Sequence, residues 1–283
     1  MSGPSSRLWY SILTALMAAL AVVWLLPALW VVVTSLKLTE NIVRVPPEWI
    51  PWPATLEHYG EVLFSSSRTA RIGRAFLNSA VISLGSVALV LLTSAMAAYP
   101  LARMRFRGRG LIFGLLVGSL MIPNAVILVP QYVLVQRLGW LSTYQGLIVP
   151  EAAMTFAFGV FLLRQFFLTI PAELEDAARI DGAGPWQIFT RILLPLSQPV
   201  LGALAIFAFR SAWNDFLWPL IAVNKPDMFP LPVALALLRG AYAAESYGPI
   251  MAGAALSALP LLIVFLVANR RIVEGVRVSA LKG

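Results

Sequence analysis

The sequence predicts an all-α integral membrane protein with six transmembrane helices and a helical segment that projects into the cytoplasm. Three observations lead to this prediction. Of the 283 residues, 59% are hydrophobic and 12% are charged, about half the charged fraction of an average soluble domain, which is roughly 25%. The apolar residues fall into six stretches long enough to cross a bilayer. One connection between these stretches is unusually long and has a helical pattern.

The composition excludes several classes of function. The chain has no cysteine and a single histidine, His58, which rules out disulfides, thiolate metal sites and cysteine nucleophiles. None of its three lysines is followed by Ser or Thr, so the phosphate-binding loop GxxxxGK[ST] is absent. We therefore expect no catalytic residue, metal site or cofactor site in this chain. We also expect His58 to be an exposed residue without a functional role.

The six apolar stretches are nearly free of charge, which favours their assignment as membrane spans. They cover residues 11–36, 75–102, 111–136, 147–163, 192–224 and 246–269. Glu151 interrupts the fourth stretch, and Arg210 and Asp215 interrupt the fifth. The fifth stretch is too long for one helix, so it must include an approach segment before Pro199.

The third stretch contains MIPNAVILVP (121–130), with two prolines and Asn124. Proline removes a backbone hydrogen bond, and in a membrane the freed carbonyl must be satisfied by protein or by water. The pattern is typical of a discontinuous helix that lines a cavity, as in transporters. Kinks that only shape helix packing are the alternative.

The distribution of basic residues predicts the orientation. Six spans place both termini on one side, and with both termini inside, the inner segments hold 12 Lys and Arg against 8 in the outer segments. The short loop 103–110 carries four arginines, whereas the short loop 137–145 carries one. By the positive-inside rule both termini are cytoplasmic. The domains are then a cytoplasmic N-terminus (1–10), a transmembrane domain (11–269) and a cytoplasmic tail (270–283).

The net charge of +8 is explained by this orientation and by attraction to lipid head groups, without a nucleic acid partner.

In the outer segment 37–74, the run VPPEWIPWP (45–53) predicts extended chain anchored at the membrane interface. Residues 55–64 predict a short helix capped by Thr55. Three arginines with a spacing of three residues follow, and they serve either as an interfacial helix turn or as an attractant for anionic solutes. These are Arg68, Arg71 and Arg74.

The connection after the fourth span, residues 169–198, has the pattern of two short helices. Pro171 suits a first helical position, and Glu173, Glu175 and Asp176 lie in the first turn, where the helix dipole favours acids. Gly182 and Gly184 end this helix, and Pro185 begins a second one that Pro195 closes. The first helix has a shallow face on which another protein could pack closely. This face consists of Leu174, Ala177, Ala178 and Asp181.

This connection resembles the signature loop of the membrane permease subunits of ABC importers. The signature is EAA, three residues, Gly, nine residues and I-x-L-P, and it is matched here by Asp176-Ala177-Ala178, Gly182 and the run 192–195. Aspartate replaces the usual glutamate at residue 176. In that family the short helix docks in a cleft of a cytoplasmic ATPase. The resemblance therefore implies ATPase-docking positions at Glu175, Asp176, Ala177, Ala178, Arg179, Asp181 and Gly182.

Other segments resemble the carbohydrate-uptake branch of that family, specifically its maltose-type second permease subunit. They include LGWLSTYQGLIVP (138–150), AWNDFLWPL (212–220) and the C-terminal RRIVEGVRVSALKG. The resemblance implies the type I ABC importer fold and uptake of an oligosaccharide, a disaccharide or a glycerol-phosphate-type solute. It also implies a location in the bacterial inner membrane, a homologous second permease, two ATPase subunits that bind ATP and Mg, and an extracytoplasmic solute-binding protein.

A hydrophilic solute needs polar and aromatic groups along its path through the membrane. The candidates are Asn78, Asn124, Arg210, Trp213, Asn214 and Asp215. A structural pairing of Arg210 with Asp215 or Glu151 is the alternative. A proton-coupled secondary transporter, in which these three residues form a relay, is the second hypothesis for the function. An intramembrane enzyme is disfavoured because no span contains His or Cys.

Overall fold

A computed structural model describes residues 4–64, 72–242 and 246–280, and the regular structure in these residues is helical. The helices are α1 (Pro4–Ser35), α2 (Glu57–Phe64), α3 (Ile72–Arg103), α4 (Arg109–Ser119), α5 (Asn124–Arg137), α6 (Tyr144–Thr169), α7 (Glu173–Ile180), α8 (Pro185–Leu196), α9 (Gln198–Asn214), α10 (Leu217–Ala222), α11 (Leu231–Tyr242) and α12 (Gly248–Ala280). Within α8, residues Phe189–Leu193 form a π-helical stretch. Arg68 and Arg71 lie outside the described residues, and Arg74 is an exposed residue of α3.

Four of the described helices contain a segment long and apolar enough to cross a membrane by themselves, and these are α1, α3, α6 and α12. Two pairs of helices meet the same criteria together but are sharply bent. The pair α4 and α5 bends by 101°, and the pair α8 and α9 bends by 76°. Counting each pair as one span gives six, in agreement with the six predicted stretches. The bends lie where the sequence predicts a broken third stretch and an approach segment before the fifth.

The chain divides into two compact units. The first unit comprises Met1–Gly73 and Leu235–Leu259, and the second comprises Arg74–Ala234 and Pro260–Gly283. In the first unit, the predicted helix after Thr55 is present as α2. The Thr55 hydroxyl accepts a hydrogen bond from the Glu57 backbone N–H at 3.1 Å. Because the Leu56 carbonyl accepts the first helical hydrogen bonds, Thr55 lies one residue before the N-cap position that was predicted for it.

The prediction of an exposed His58 was wrong. The His58 ring is 2% exposed, and its Nε2 atom donates to the Lys37 carbonyl at 2.9 Å. On the next residue, the Tyr59 hydroxyl lies 2.7 Å from the Ser35 hydroxyl. These bonds fasten α2 to the end of α1, so His58 has a structural role in the first unit. Residues 55–64 alone could not predict this, because their pattern does not indicate which segment α2 contacts.

The core of the second unit joins α3, α6, α8 and α9. Its most buried members include Val90, Leu163, Phe167, Leu193 and Leu204. In membranes, small residues at helix interfaces let the backbones approach closely. On α6, Gly159 faces Ser94 of α3, and there is no space for a side chain at residue 159. Because Leu193 belongs to α8, the connection between the fourth and fifth spans is continuous with this core.

A second close approach gives a testable prediction. A methyl group at Gly146, in the first turn of α6, would overlap the backbone carbonyl of Trp140. We expect Gly146→Ala to lower the free energy of unfolding by about 1–3 kcal/mol, the usual cost of overpacking. Thermal unfolding of the purified protein in detergent measures this. Gly114→Ala on α4 is the matched control, because an added methyl there meets no atom within 4 Å. Equal melting temperatures for the two variants would contradict the packing described for α6.

Candidate functional site

The two short helices between the fourth and fifth spans are present as α7 and α8. We call residues 173–196 the helical knob. Helix α7 begins at Glu173, two residues after the predicted start at Pro171, because the Ala172 carbonyl accepts the first hydrogen bonds, from the N–H groups of Glu175 and Asp176. The three acidic residues of its first turn, Glu173, Glu175 and Asp176, are positioned as predicted. The helix dipole stabilises them there.

The turn between the two helices is a Schellman motif centred on Gly182. The Gly182 N–H donates to the Arg179 carbonyl at 3.0 Å, and the Ala183 N–H donates to the Ala178 carbonyl at 2.9 Å. Gly182 has a φ of +83°, a left-handed conformation that glycine adopts without steric cost. The sequence prediction that Gly182 ends the first helix is confirmed. Pro185 then begins α8, also as predicted.

The surface of the helical knob exposes large apolar side chains among acids. The exposed fraction is 86% for Ile180, 63% for Trp186 and 44% for Leu174. Ala177 and Asp181, from the predicted docking face, are also exposed. Ala178 is partly buried and packs against the core of the second unit. Exposed aromatic and aliphatic groups next to a small-residue surface form a suitable docking surface for another protein.

Glu175 does not lie on this exposed surface. It is 3% exposed, and its Oε1 atom lies 2.8 Å from Nε of Arg103, at the end of α3. The expectation that Glu175 is a docking position is therefore corrected, because its carboxylate points into the protein. Asp176 and Arg179 remain on the surface, where Arg179 Nη1 donates to Asp176 at 3.0 Å.

Two of the six candidate path residues are structural. Asn78 is fully buried; its amide donates to the carbonyls of Asp227 and Phe229 and accepts from the Tyr144 hydroxyl, at 2.8 to 3.0 Å. Trp213 is 2% exposed, and its ring stacks on Phe209 with centroids 5.5 Å apart. These side chains are not accessible to a solute. Their expected place on the path is corrected accordingly.

Of the other four candidates, Asn124 lies at the break between α4 and α5, and Arg210, Asn214 and Asp215 lie at the C-terminal end of α9. Asn124 is exposed and begins α5, directly after the break at Pro123. Arg210 is exposed on α9, and Asn214 donates to its carbonyl at 2.9 Å. Asp215 follows α9 and accepts from the Trp218 N–H at 3.4 Å. Within the described residues Arg210 forms no ion pair, so the pairing with Asp215 or Glu151 is not formed.

Glu151, Ser211 and Asp215 interact near the C-terminal end of α9. Glu151 on α6 faces the Ser211 side chain of α9 and interacts electrostatically with Asp215. One carboxylate oxygen of Glu151 is buried and has no hydrogen-bond partner among the described residues. Glu151 of the fourth span and Asp215 of the fifth are therefore neighbouring carboxylates.

The burial of Asn78 gives a second prediction. Asn78→Leu keeps the side-chain volume but leaves two backbone carbonyls and one hydroxyl without their partner. Each unpaired buried group costs about 1–3 kcal/mol, so the melting temperature of the purified protein should fall by several degrees. Asn124→Leu at the exposed position is the control and should leave it unchanged. An unchanged melting temperature for Asn78→Leu together with weaker solute uptake would restore Asn78 to the path.

The fold and the helical knob define a multi-pass helical membrane protein with an exposed helical element between two of its spans. Residues 90–278 match the family described as the inner membrane component of binding-protein-dependent transport systems. The chain belongs to this family.

Curated relatives cover almost the whole chain. The diacetylchitobiose uptake system permease protein of Streptomyces coelicolor is 35% identical over 96% of this chain and 89% of its own length. The arabinooligosaccharides transport system permease protein of Halalkalibacterium halodurans is 35% identical over 96% of both chains. The trehalose transport system permease protein of Mycobacterium tuberculosis is 33% identical over 99% of this chain and 100% of its own length.

The fold is that of a type I ABC importer permease. A chain in the crystal structure of a bacterial ABC transporter that imports the acidic polysaccharide alginate matches with a TM-score of 0.80, 23% identity and coverage of 95% of this chain and 98% of that chain. At this identity the likeness establishes the fold. The expectation of a six-span, all-α permease is therefore confirmed.

Proposed function

We propose that this chain is one of two permease subunits of an ATP-driven importer for a sugar or an oligosaccharide. Membership of the binding-protein-dependent family supports an importer that receives its solute from a separate binding protein. The names of the relatives support a sugar, because they transport diacetylchitobiose, arabino-oligosaccharides and trehalose. The observation that carries the proposal is the exposed surface of α7 in the helical knob, which includes Asp176, Ala177 and Ile180.

The helical knob is the element that receives energy from an ATPase. Asp176, Ala177, Arg179, Asp181 and Gly182 lie on its surface, where a partner can reach them. The chain has no nucleotide-binding loop, so ATP and Mg bind to two partner ATPase subunits and this chain needs no cofactor. Closure of the ATPases moves α7, and α8 transmits the movement because its residues Ile188 and Leu193 belong to the core of the second unit.

The remaining partners follow from the same mechanism. A homologous second permease completes the path, and a solute-binding protein delivers the sugar at the outer face. Both termini and the helical knob are cytoplasmic, as the arginine distribution predicts. ATP, the binding protein and the solute each favour one of two states, inward-facing or outward-facing, and the difference in these preferences gives transport its direction.

Four polar groups at or near helix ends are the proposed contacts with the solute. Asn124, Arg210, Asn214 and Asp215 can donate and accept hydrogen bonds, which a sugar requires when it leaves water. Asn124, Asn214 and Asp215 lie at helix ends next to interruptions of regular helix, as is usual for binding sites inside membrane transporters. The neighbouring Glu151 adds a second carboxylate to this group.

Reconstitution of the whole complex in proteoliposomes tests this proposal. The vesicles contain both permeases and both ATPases, and radiolabelled trehalose, diacetylchitobiose and arabino-oligosaccharides are offered outside together with the binding protein. We expect uptake of one of these sugars only with ATP inside and the binding protein outside. Vesicles with the permease pair alone and an imposed pH gradient are the control. Uptake in that control would support the proton-coupled alternative and overturn the proposal.

A further inference from the structure

We infer that Arg103 and Glu175 form a buried ionic clasp that fixes the helical knob to the membrane helices, and that this clasp transmits the movement of α7 during transport. Arg103 and Glu175 are positioning residues in this inference, which rests on the proposed function. The sequence signature at 176–195 does not include either residue. The clasp is therefore a separate part of the coupling device.

The geometry of the clasp ties three helices to one guanidinium group. Nε of Arg103, the last residue of α3, lies 2.8 Å from Oε1 of Glu175 on α7. Nη2 of the same side chain donates to the carbonyl of Phe167 at 2.7 Å and also to the carbonyl of Ile170. These carbonyls belong to the C-terminal end of α6, where a cation is favoured by the helix dipole.

Burial separates this ion pair from the others in the described residues. The side chain is 12% exposed for Arg103 and 4% exposed for Glu175, whereas Arg179 and Asp176, which pair on the surface of the same helix, are 54% and 65% exposed. Surface pairs contribute little to stability because water screens them. A buried pair that loses one partner leaves an uncompensated charge in the interior, so removal of either partner alone is costly.

A second contact fastens the other half of the helical knob to the same turn of α3. Tyr99 lies one helical turn before Arg103, and its ring stacks on Phe189 of α8 with centroids 5.3 Å apart and planes 24° apart. Arg164 of α6 donates from Nε to the Leu101 carbonyl at 2.9 Å, which joins the ends of α3 and α6. The end of α3 therefore holds both α7 and α8.

This arrangement explains how a push on the exposed face of α7 can reach the spans. Helix α7 has only eight residues. If the turn at Gly182 were its only attachment, α7 could rotate about that turn. The clasp removes that freedom, because a displacement of Glu175 moves Arg103 and, with it, the ends of α3 and α6. The tightly packed core then transmits the displacement without absorbing it.

A reversible cross-link tests the inference, because the natural chain has no cysteine. Arg103→Cys and Glu175→Cys are combined in the whole reconstituted complex, and uptake is measured before and after treatment with a reducible bis-methanethiosulfonate cross-linker. Without the cross-link we expect uptake to fall by about tenfold or more, since the contact that couples α7 to α3 is lost, and ATP hydrolysis no longer to respond to the solute-loaded binding protein. The cross-link should restore both uptake and the response of ATP hydrolysis. Dithiothreitol, which cleaves the cross-link, should abolish both again in the same sample.

The control variant is Arg107→Gln, an exposed arginine of the loop 103–110 that forms no ion pair in the described part of the chain. It should transport like the unaltered protein. Wild-type uptake by the double-cysteine variant without cross-linker, or no recovery when it is cross-linked, overturns the clasp. If instead the unaltered chain recovers no ATPase subunit on purification, the proposed function itself fails, so the two failures are distinguishable.

Discussion

Gly182→Val is expected to abolish uptake while the protein remains in the membrane. Gly182 has a φ of +83°, and a residue with a Cβ atom in this conformation costs about 1–2 kcal/mol, more when the side chain is β-branched. The Schellman turn relieves this strain by changing its backbone angles, which rotates α7 relative to α8. A docking face that is rotated no longer meets its partner correctly. Uptake by the reconstituted complex measures the effect, and recovery of the subunit in the membrane fraction measures insertion.

Gly184→Val is the matched control for this prediction. Gly184 lies two residues away, has an extended backbone with φ −75° and ψ 167°, and precedes a proline, which favours the same region for any residue. An added Cβ atom meets nothing within 4 Å at either glycine, so the two variants differ mainly in backbone strain. We expect Gly184→Val to keep most of the uptake. Uptake that survives Gly182→Val would remove Gly182 from the coupling device.

Asp176→Lys is expected to reduce strongly the amount of ATPase that purifies with the permease. The side chain of Asp176 is 65% exposed and pairs only with Arg179 of its own helix among the described residues. Its reversal places a second cation beside Arg179 on a surface that the proposal assigns to a partner, and a like-charge contact in an interface costs several kcal/mol. Co-purification through a tag on the permease, followed by quantification of the ATPase, provides the measurement.

Glu173→Lys controls for the general effect of charge on α7. Glu173 is exposed in the same first turn, so its reversal loses the same helix-dipole stabilisation, about 0.3–1 kcal/mol. It lies outside the signature at 176–195, and we expect near-normal recovery of the ATPase. A similar loss with both variants would indicate that helix stability matters and that Asp176 makes no direct contact.

Local sequence patterns predicted the parts of this protein that depend on local physics. Gly182 and Pro185 mark the turn and the second helix because left-handed backbone and fixed φ are properties of single residues. The break before Asn124 followed from Pro123 in the same way. The exposed docking face was predictable in part, because a helical period places Leu174, Ala177 and Asp181 together.

Contacts between segments distant in the chain were not predictable from one sequence. Asn78 contacts a carbonyl 149 residues away, and nothing in the run around it distinguishes such a buried amide from one that faces a solute. Glu175 and Asp176 are adjacent acids on one helix, yet only Glu175 is buried, because Arg103 lies beneath it. From the sequence alone, Arg103 is one of four loop arginines that predict the orientation. The sequence does not show that Arg103 pairs with the buried Glu175.

Cross-linking from a single cysteine at Ala177 tests the central claim, that the helical knob docks on an ATPase, most directly. Ala177 is exposed, and the absence of other cysteines makes the label unique in this chain. A heterobifunctional photo-cross-linker at Ala177→Cys should join the permease to the ATPase subunit, and ATP should change the yield. The matched position Ala157→Cys, buried in α6, should give no such product. Efficient labelling of Ala177→Cys in the assembled complex without any permease–ATPase product would contradict the account.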